Sequence, residues 1–258
     1  MQRLGAEMNL SETVFIIADK GTFDDAQSFG IRWFTPTTEV DLCGHATLAS
    51  AAVLFFKKGN KNDAITFHSR SGELIARRAE SGRILLDFPA NPPFEMQKED
   101  FKDLLEVCLK DISLVHSVHL NKKTRKLLVR LIDSISRNDL EALSPRIDEM
   151  IASEHTGLIR GVGLTVKGSQ TNGCVDNEGK VYDFISRYFA PWAGIPEDPV
   201  TGSWHTVSAC YWSQQLQKKS VYARQCSRRG GDLWVDLQDD RVTISGNAVI
   251  NLEGIFTL

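Results

Sequence analysis

The most constraining feature of this sequence is an internal repeat. Residues 32–36 (RWFTP) resemble residues 187–191 (RYFAP) at an offset of 155 positions. A glycine that opens a largely apolar run, Gly44, recurs as Gly202 at an offset of 158 positions. Two weaker matches keep the same order: residues 71–74 with 230–233, and residues 83–84 with 241–242. The four ordered matches predict a duplicated fold; the alternative is a chance coincidence of common turn and strand patterns.

Both halves of the repeat carry a similar succession of predicted strands and one central helix. Runs of β-branched and aromatic residues between turns predict strands, and long apolar runs predict buried helices. The predicted strands are residues 13–18, 28–34, 64–68, 72–79 and 83–88, then 126–133, 158–167, 182–189, 233–237 and 241–245. The predicted helices are the central ones, 46–57 and 204–217, with 98–110 and 145–153. A turn at residues 91–93 (NPP) divides the chain into halves 1–95 and 96–258.

The repeat also predicts how the first half begins. In the second half, a predicted strand at residues 126–133 and a loop precede the helix at residues 145–153. Residues 151–154 (IASE), at the end of that helix, resemble residues 4–7 (LGAE). We therefore expect the first half to lack one strand, a loop and the first part of a helix.

Composition and charge exclude several classes of protein. Apolar residues make up 42% and charged residues 24% of the chain, as in proteins that form a hydrophobic core. A net charge of −3 excludes a strongly basic nucleic-acid-binding protein. The longest apolar stretch, residues 46–56, is much shorter than the roughly 20 residues of a membrane-spanning helix. We therefore expect neither nucleic acid nor a membrane as a partner.

The cysteines, histidines and glycines give no sequence signal for a metal or a cofactor. The five cysteines are widely spaced and include no C-x-x-C pair. This pattern argues against a zinc site or a disulfide framework and favours a reducing compartment such as the cytoplasm. His116 and His119 have no accompanying set of acidic or cysteine ligands, and the glycines form no nucleotide-binding motif. The sequence therefore predicts no metal and no cofactor.

Two acidic loops, one in each half, lead into the two central helices. Residues 39–45 (EVDLCGH) and residues 197–203 (EDPVTGS) occupy matching positions of the repeat. A helix N-terminus presents unpaired N–H groups and partial positive charge, and glycine lets a ligand approach the backbone. Gly44, Gly202 and Ser203 are therefore candidates for binding a carboxylate or a developing enolate. The alternative is that these residues are ordinary caps and turns.

Glu12, His45 and Asp198 are candidates for proton transfer. Glu12 precedes a predicted strand and stands near apolar Val14 and Phe15. Burial there would raise its pKa toward that of a working base, and a surface turn glutamate is the alternative. His45 can serve as a proton shuttle or as a helix cap, and Asp198 as the partner of a histidine or as a turn residue.

Cys43 is a further candidate acid or base. A racemase that uses two thiols needs a second cysteine at the matching position of the repeat. Residues 200–203 (VTGS) occupy that position and contain none, so the sequence disfavours this mechanism.

Four motifs together resemble those of the PhzF family, over essentially the whole chain. They are residues 9–13 (NLSET), 32–36 (RWFTP), 43–47 (CGHAT) and 197–203 (EDPVTGS). The resemblance points to the animal branch, the phenazine biosynthesis-like domain-containing proteins. It implies an α/β fold of the α+β type, similar to that of diaminopimelate epimerase. Such a fold has two pseudo-symmetric halves, each a curled, mostly antiparallel sheet around a central helix, with the active-site cleft between them.

The resemblance also implies an activity and its residues. In the family, the glutamate of the N-x-S-E-T motif moves a proton on the substrate, and Glu12 holds that position here. The other implied site residues are catalytic His45 and Asp198 and substrate-binding Gly44, Gly202 and Ser203. The implied protein is a cofactor-independent isomerase or epimerase that acts on a small carboxylate-bearing metabolite and forms a homodimer.

Two departures from the family pattern bear on activity. Family members begin with a strand and a loop resembling G-N-P-A-A-V, which are not found here, and Trp204 stands where relatives usually have a small residue. The Trp204 ring can either narrow the pocket or point into the core. A catalytically impaired binding or scaffold protein that keeps the fold is therefore the alternative to an isomerase.

Overall fold

The computed structural model describes residues 1–79 and 81–255 and divides into two compact units. The first unit consists of Met1–Asp87 and the C-terminal segment that begins at Ser245, and the second unit is Phe88–Ile244. The sequence interpretation places the boundary after residue 95 and assigns the whole remainder to the second half. The structure differs at the C-terminal segment, which is joined to the first unit by a 2.6 Å ion pair between Lys57 Nζ and Glu253 Oε2.

The first unit contains a mostly antiparallel sheet. Its strands are β1 (Thr13–Ala18), β2 (Ser28–Phe34), β3 (Glu39–Val40), β4 (Ala64–Ser69), β5 (Gly72–Arg78) and β6 (Ile84–Pro89). They pair in the order β1-β2-β4-β5-β6, with β3 beside β2, and the β2–β4 pair is parallel. Helix α1 (Gln2–Met8) precedes β1. Helix α2 (Gly44–Ala52), extended by a π-helical turn (Val53–Lys57), connects β3 to β4.

The second unit contains a longer sheet. Its strands are β7 (Phe94–Met96), β8 (Val115–Asn121), β9 (Lys126–Leu131), β10 (Gly161–Lys167), β11 (Phe184–Phe189), β12 (Ser220–Gln225), β13 (Gly231–Gln238) and β14 (Arg241–Gly246), and each lies beside the next. The pairs β9–β10 and β11–β12 are parallel. Its helices are α3 (Lys102–Cys108), α4 (Arg137–Ala142), α5 (Ile147–Ser153) and α6 (Gly202–Leu216).

The same succession of strand pairings occurs in both units. In the first unit, the antiparallel pairs β1–β2 and β4–β5 flank the parallel pair β2–β4. In the second unit, the antiparallel pairs β10–β11 and β12–β13 flank the parallel pair β11–β12. A parallel pair needs a long crossover connection, and the crossovers here contain α2 and α6. This recurrence supports the interpretation of the sequence as a duplication.

Both crossover helices are largely buried. Small residues dominate the buried positions of α2, and its buried hydroxyl groups bond to the helix backbone. Thr47 Oγ1 donates to the Cys43 carbonyl at 2.6 Å, and Ser50 Oγ donates to the Ala46 carbonyl at 2.9 Å. These bonds satisfy polar atoms that would otherwise be costly to bury.

Two further observations concern the state of the cysteines and the length of the helices. All five cysteines are buried free thiols. Across residues 1–79 and 81–255, no helix has both the length and the apolar composition needed to span a bilayer.

Candidate active site

Glu12 lies in the short connection between α1 and β1, and its side chain is nearly buried. Asn9 ends α1 in the left-handed conformation, with φ of 48°, so the chain leaves the helix abruptly and soon enters β1. The Glu12 side chain is 4% exposed, and its Oε2 lies 3.0 Å from Nε2 of His45. The structure therefore brings two of the predicted site residues into contact within the first unit.

The start of α2 places His45 against two further polar groups. Cys43 is the residue before the helix and Gly44 is its first residue. The Cys43 Sγ lies 3.6 Å from Nδ1 and 3.8 Å from Nε2 of His45, and the Ser11 Oγ lies 3.5 Å from Nε2. The imidazole ring therefore contacts a thiol and a hydroxyl group in addition to the Glu12 carboxylate.

Glu12 and His45 stabilise each other as an ion pair. Burial raises the pKa of Glu12. The hydrogen bond and the positive charge of His45 lower that pKa, and together with smaller contributions from Ser11 and Cys43 they outweigh the effect of burial. The pKa of Glu12 therefore lies below its usual value. Burial lowers the pKa of His45, but neighbouring Cys43 and Glu12 raise it well above its usual value. The expectation that the pKa of Glu12 is raised is therefore wrong. It allowed for the loss of water but not for the histidine that the fold places beside the carboxylate.

The environment of Cys43 raises the pKa of its thiol. Burial raises its pKa, and the charge of Glu12 adds to that effect, while His45 opposes it. A thiol is a much weaker nucleophile and base than a thiolate. This environment agrees with the sequence argument against a mechanism that uses two thiols.

In the second unit, the loop that carries Asp198 is fixed on both sides of that residue. Arg187 Nε and Nη2 donate to the two carboxylate oxygens of Glu197 at 2.7 and 2.9 Å. The buried Gln225 side chain donates to the Asp198 carbonyl at 2.6 Å and accepts from the Thr201 N–H at 2.8 Å. The Arg187–Glu197 pair is charge-assisted and bidentate, the stronger kind of hydrogen bond, and the two Gln225 bonds hold the backbone at Asp198 and Thr201.

The Asp198 side chain itself is nearly buried and acts on two ionisable neighbours. Burial lowers the pKa of Lys126 to about 8, and the negative charge of Asp198 opposes that shift. Burial raises the pKa of Tyr188, and Asp198 raises it further. Lys126 has no sequence signal of its own, because a lysine at the first residue of a strand belongs to no recognisable motif.

Trp204 points into the core of the second unit. Its ring is fully buried and stacks on Tyr188 with the ring centroids 5.5 Å apart. Its Nε1 donates to the Ser186 Oγ at 3.0 Å. Gly163 provides the space, since a Cβ at that position would lie 2.2 Å from the ring. Of the two orientations that the sequence left open, the structure has the one in the core.

The structure groups the predicted residues into two sets, one in each unit. The first set surrounds the start of α2: Glu12, Gly44 and His45. The second set lies at the start of α6: Asp198, Gly202 and Ser203. Gly202 is the buried first residue of α6, and Ser203, which follows it, is half-buried. Ser11 and Gln225 are further polar residues at these positions that the sequence analysis did not select.

Within the part of the chain that the structure describes, one cluster has the composition and proximity to hold a metal ion. Glu12, Cys43 and His45 each offer one ligand atom, and these atoms lie within 4.8 Å of one another. The sequence predicts no metal because the three residues form no recognised ligand spacing. Their proximity arises only when the connection between α1 and β1 packs against the start of α2.

Comparison with known proteins identifies relatives over nearly the whole chain. A family model described as phenazine biosynthesis-like protein matches residues 1–254. A mouse protein named phenazine biosynthesis-like domain-containing protein 1 is 53% identical over 99% of this chain and 88% of its own length. A Pseudomonas aeruginosa protein named an uncharacterized isomerase is 40% identical over 98% of this chain and 85% of its own length.

Solved structures give the same result for the fold. The crystal structure of a phenazine biosynthesis PhzC/PhzF protein from Clostridium difficile matches with a TM-score of 0.79 at 32% identity. The match covers 100% of this chain and 87% of that structure. The mixed α/β fold shared with PhzF proteins and diaminopimelate epimerase is therefore confirmed.

Proposed function

Since this chain belongs to the phenazine biosynthesis-like (PhzF) family, we propose that it is an isomerase that needs no cofactor. It moves a proton on a small, carboxylate-bearing metabolite by general acid/base catalysis. Glu12 is the group that carries the proton. Relatives that are named isomerases support the reaction class, and the residues of the first unit support the mechanism.

The observation that carries this proposal is the nearly buried pair of Glu12 and His45, 3.0 Å apart. A carboxylate and an imidazolium side by side supply a proton acceptor and a proton donor at one place. Most charged side chains avoid burial, and a buried pair contributes little to stability compared with apolar packing. Strongly shifted pKa values of buried neighbours are typical of catalytic sites.

In the proposed reaction, the Glu12 carboxylate removes a proton from a carbon next to a conjugated, electron-withdrawing group. The electron pair of the broken C–H bond enters an enolate-like system on the substrate. Glu12 then returns the proton to a different carbon, so no atoms or electrons are gained or lost. While Glu12 is neutral, the positive charge of His45 stabilises the negative charge on the substrate.

We assign substrate binding to the residues at the starts of the two crossover helices. The backbone N–H groups near Gly44 and Gly202, together with the Ser203 hydroxyl, suit a carboxylate or an enolate oxygen. Asp198 holds and polarises the substrate, and the bonds from Gln225 and Thr201 keep its loop in place. A fixed loop favours catalysis because the binding groups need no reorganisation.

The alternative of a binding or scaffold protein without turnover receives no support from Trp204. Its ring packs against Tyr188 and Gly163 in the core of the second unit. The isomerase proposal is therefore the one that the site favours.

A deuterium-exchange screen tests the proposal. The wild type is incubated in D₂O with a broad set of small carboxylates, and mass spectrometry measures deuterium incorporated at carbon. We expect exchange into at least one compound, and Glu12→Gln should lower its rate by roughly 10²- to 10⁴-fold, the usual contribution of a general acid or base.

Glu73→Gln is the matched control, because Glu73 also pairs with a histidine, His68, but at the exposed surface. It should exchange at the wild-type rate. Exchange by Glu12→Gln at the wild-type rate would show that another group carries the proton. No exchange into any compound would favour the binding protein instead.

A further inference from the structure

The residues around the start of α2 have the chemistry of a transition-metal site. They offer a sulfur, an imidazole nitrogen and a carboxylate oxygen, all within 4.8 Å of one another. His45 Nε2 lies 3.0 Å from Glu12 Oε2 and 3.8 Å from Cys43 Sγ. We propose that Glu12, Cys43 and His45 bind a thiophilic divalent cation of the Zn²⁺ type, and that this ion inhibits the protein reversibly.

Two of the three ligand separations are close to those of tetrahedral zinc. Zinc bonds of about 2.3 Å to sulfur and about 2.0–2.2 Å to nitrogen and oxygen imply ligand separations of about 3.4 Å for nitrogen to oxygen and about 3.6 Å for nitrogen to sulfur. The observed separations are 3.0 Å for nitrogen to oxygen and 3.8 Å for nitrogen to sulfur. The third separation, between the Glu12 oxygen and the Cys43 sulfur, is no more than 4.8 Å.

The kinds of ligand atom select the kind of metal. Mg²⁺ and Ca²⁺ prefer sets made of oxygen ligands, whereas a mixed sulfur, nitrogen and oxygen set suits Zn²⁺ and similar ions. Three protein ligands leave a fourth position for water, and the Ser11 Oγ is a further polar atom near the set, 3.5 Å from His45 Nε2. The His45 side chain is 18% exposed, which gives the ion access from solvent.

Metal binding releases protons to solvent. Zinc coordinates a thiolate and a neutral imidazole. The Cys43 thiol therefore gives up its proton when the ion binds, as does His45 wherever its ring is doubly protonated.

The inhibition rests on the proposed function, whereas the metal site does not. A bound ion occupies the lone pairs of Glu12 and of His45, so Glu12 cannot accept a proton from a substrate. A chelator should restore the exchange reaction, because the ion is a ligand and not a covalent modification.

Cobalt is the probe for the site, because tetrahedral Co²⁺ bound by a thiolate absorbs in the visible and near-ultraviolet. Chelator-treated protein is titrated with Co²⁺ and then with Zn²⁺. We expect a thiolate-to-cobalt band in the wild type, its loss in Cys43→Ser, and its displacement by Zn²⁺. Glu12→Gln and His45→Gln should each weaken binding by roughly tenfold or more, at least as much as loss of an outer partner costs.

Cys210→Ser and His68→Gln are the matched controls and should bind Co²⁺ like the wild type. Absence of the band in the wild type, or an equal band in folded Cys43→Ser, would overturn the site. If Cys43→Ser does not fold, X-ray absorption spectroscopy of the zinc-loaded wild type shows whether a sulfur atom binds the metal. One sulfur near 2.3 Å, the typical zinc–sulfur distance, is expected, and a shell of oxygen and nitrogen alone would refute the proposal.

Exchange assays separate this proposal from the proposed function. A cobalt band that depends on Cys43, together with exchange that Zn²⁺ does not inhibit, would keep the metal site and remove Glu12 from catalysis. Exchange that depends on Glu12, without a cobalt band, would keep the catalytic role and remove the metal site.

Discussion

Each unit has a histidine in the first turn of its crossover helix, and the two histidines have opposite environments. His45 contacts Glu12 and Cys43, which raise its pKa above the usual value despite burial. His205 is fully buried and stacks on Phe184. Its Nδ1 bonds to the Thr201 carbonyl at 2.8 Å, and within residues 1–79 and 81–255 its Nε2 has no hydrogen-bond partner. Burial lowers its pKa to about 4.

The difference shows that the surroundings of a residue, more than its position in a repeat, determine its role. A histidine beside a carboxylate is held charged and can donate a proton. A histidine without an anionic neighbour is held neutral, because a second proton would place an unpaired charge in the core. We therefore expect His45 to act in catalysis and His205 to act in packing.

The largest effect should separate the two histidines by activity. His45→Gln should lower the rate of deuterium exchange by roughly 10²- to 10⁴-fold, since it removes the acid partner of Glu12. His205→Asn, which keeps a donor for the Thr201 carbonyl, should change the rate much less. The measurement is the exchange rate of each variant after circular dichroism has shown that it is folded. Equal losses in both variants would contradict the functional distinction.

The second effect is the pH dependence of stability that His205 confers. Its pKa of about 4 in the folded chain compares with about 6.5 for an unfolded histidine. Between these values the unfolded chain binds more protons. The free energy of unfolding should therefore fall by roughly 3 kcal/mol as the pH drops from about 6.5 to about 4, with the full contribution present above that range.

Urea unfolding of the wild type and of His205→Asn at a series of pH values measures this effect. The difference between the two proteins isolates His205 from the carboxylates that titrate in the same range. His155→Asn, at an exposed position, should keep the wild-type pH profile. A His205→Asn profile parallel to that of the wild type would show that His205 is not held neutral.

A third, smaller effect tests how the first turn of α6 packs. Gly163→Ala places a Cβ 2.2 Å from the Trp204 ring and should destabilise the protein by about 1–3 kcal/mol through overpacking. Gly254→Ala, where an added Cβ meets nothing within 4 Å, should have little effect. Thermal unfolding of both variants measures the difference, and equal stability would mean that the ring lies elsewhere.

The smallest effect concerns the exposed counterpart of the Glu12–His45 pair. His68 lies 3.4 Å from Asp19 and 3.5 Å from Glu73, and all three side chains are exposed. His68→Gln should change the free energy of unfolding by less than about 1 kcal/mol, and added salt should reduce the difference further. A larger loss in urea unfolding would show that burial does not distinguish the two pairs.

The regular elements with clear periodicity were predictable from the sequence. Strands β1 and β2 have the predicted bounds, and α2 and α6 fall on the predicted central helices. Strands β8 and β12 were not predicted, because their polar residues interrupt the apolar pattern. Helix α4 was not predicted either, although the capping box of Ser136 and Asp139 is a local signal for its start.

The amino-acid sequence by itself determined the family, the fold class and the identities of the candidate site residues, because motifs and apolar periodicity are local properties of a chain. Only the tertiary structure decided the charge state of Glu12 and the placement of the Trp204 ring. It also joined Cys43 to Glu12 and His45 in one cluster. These properties depend on which distant groups come within a few ångströms and on how much water they exclude, and no stretch of sequence contains that information.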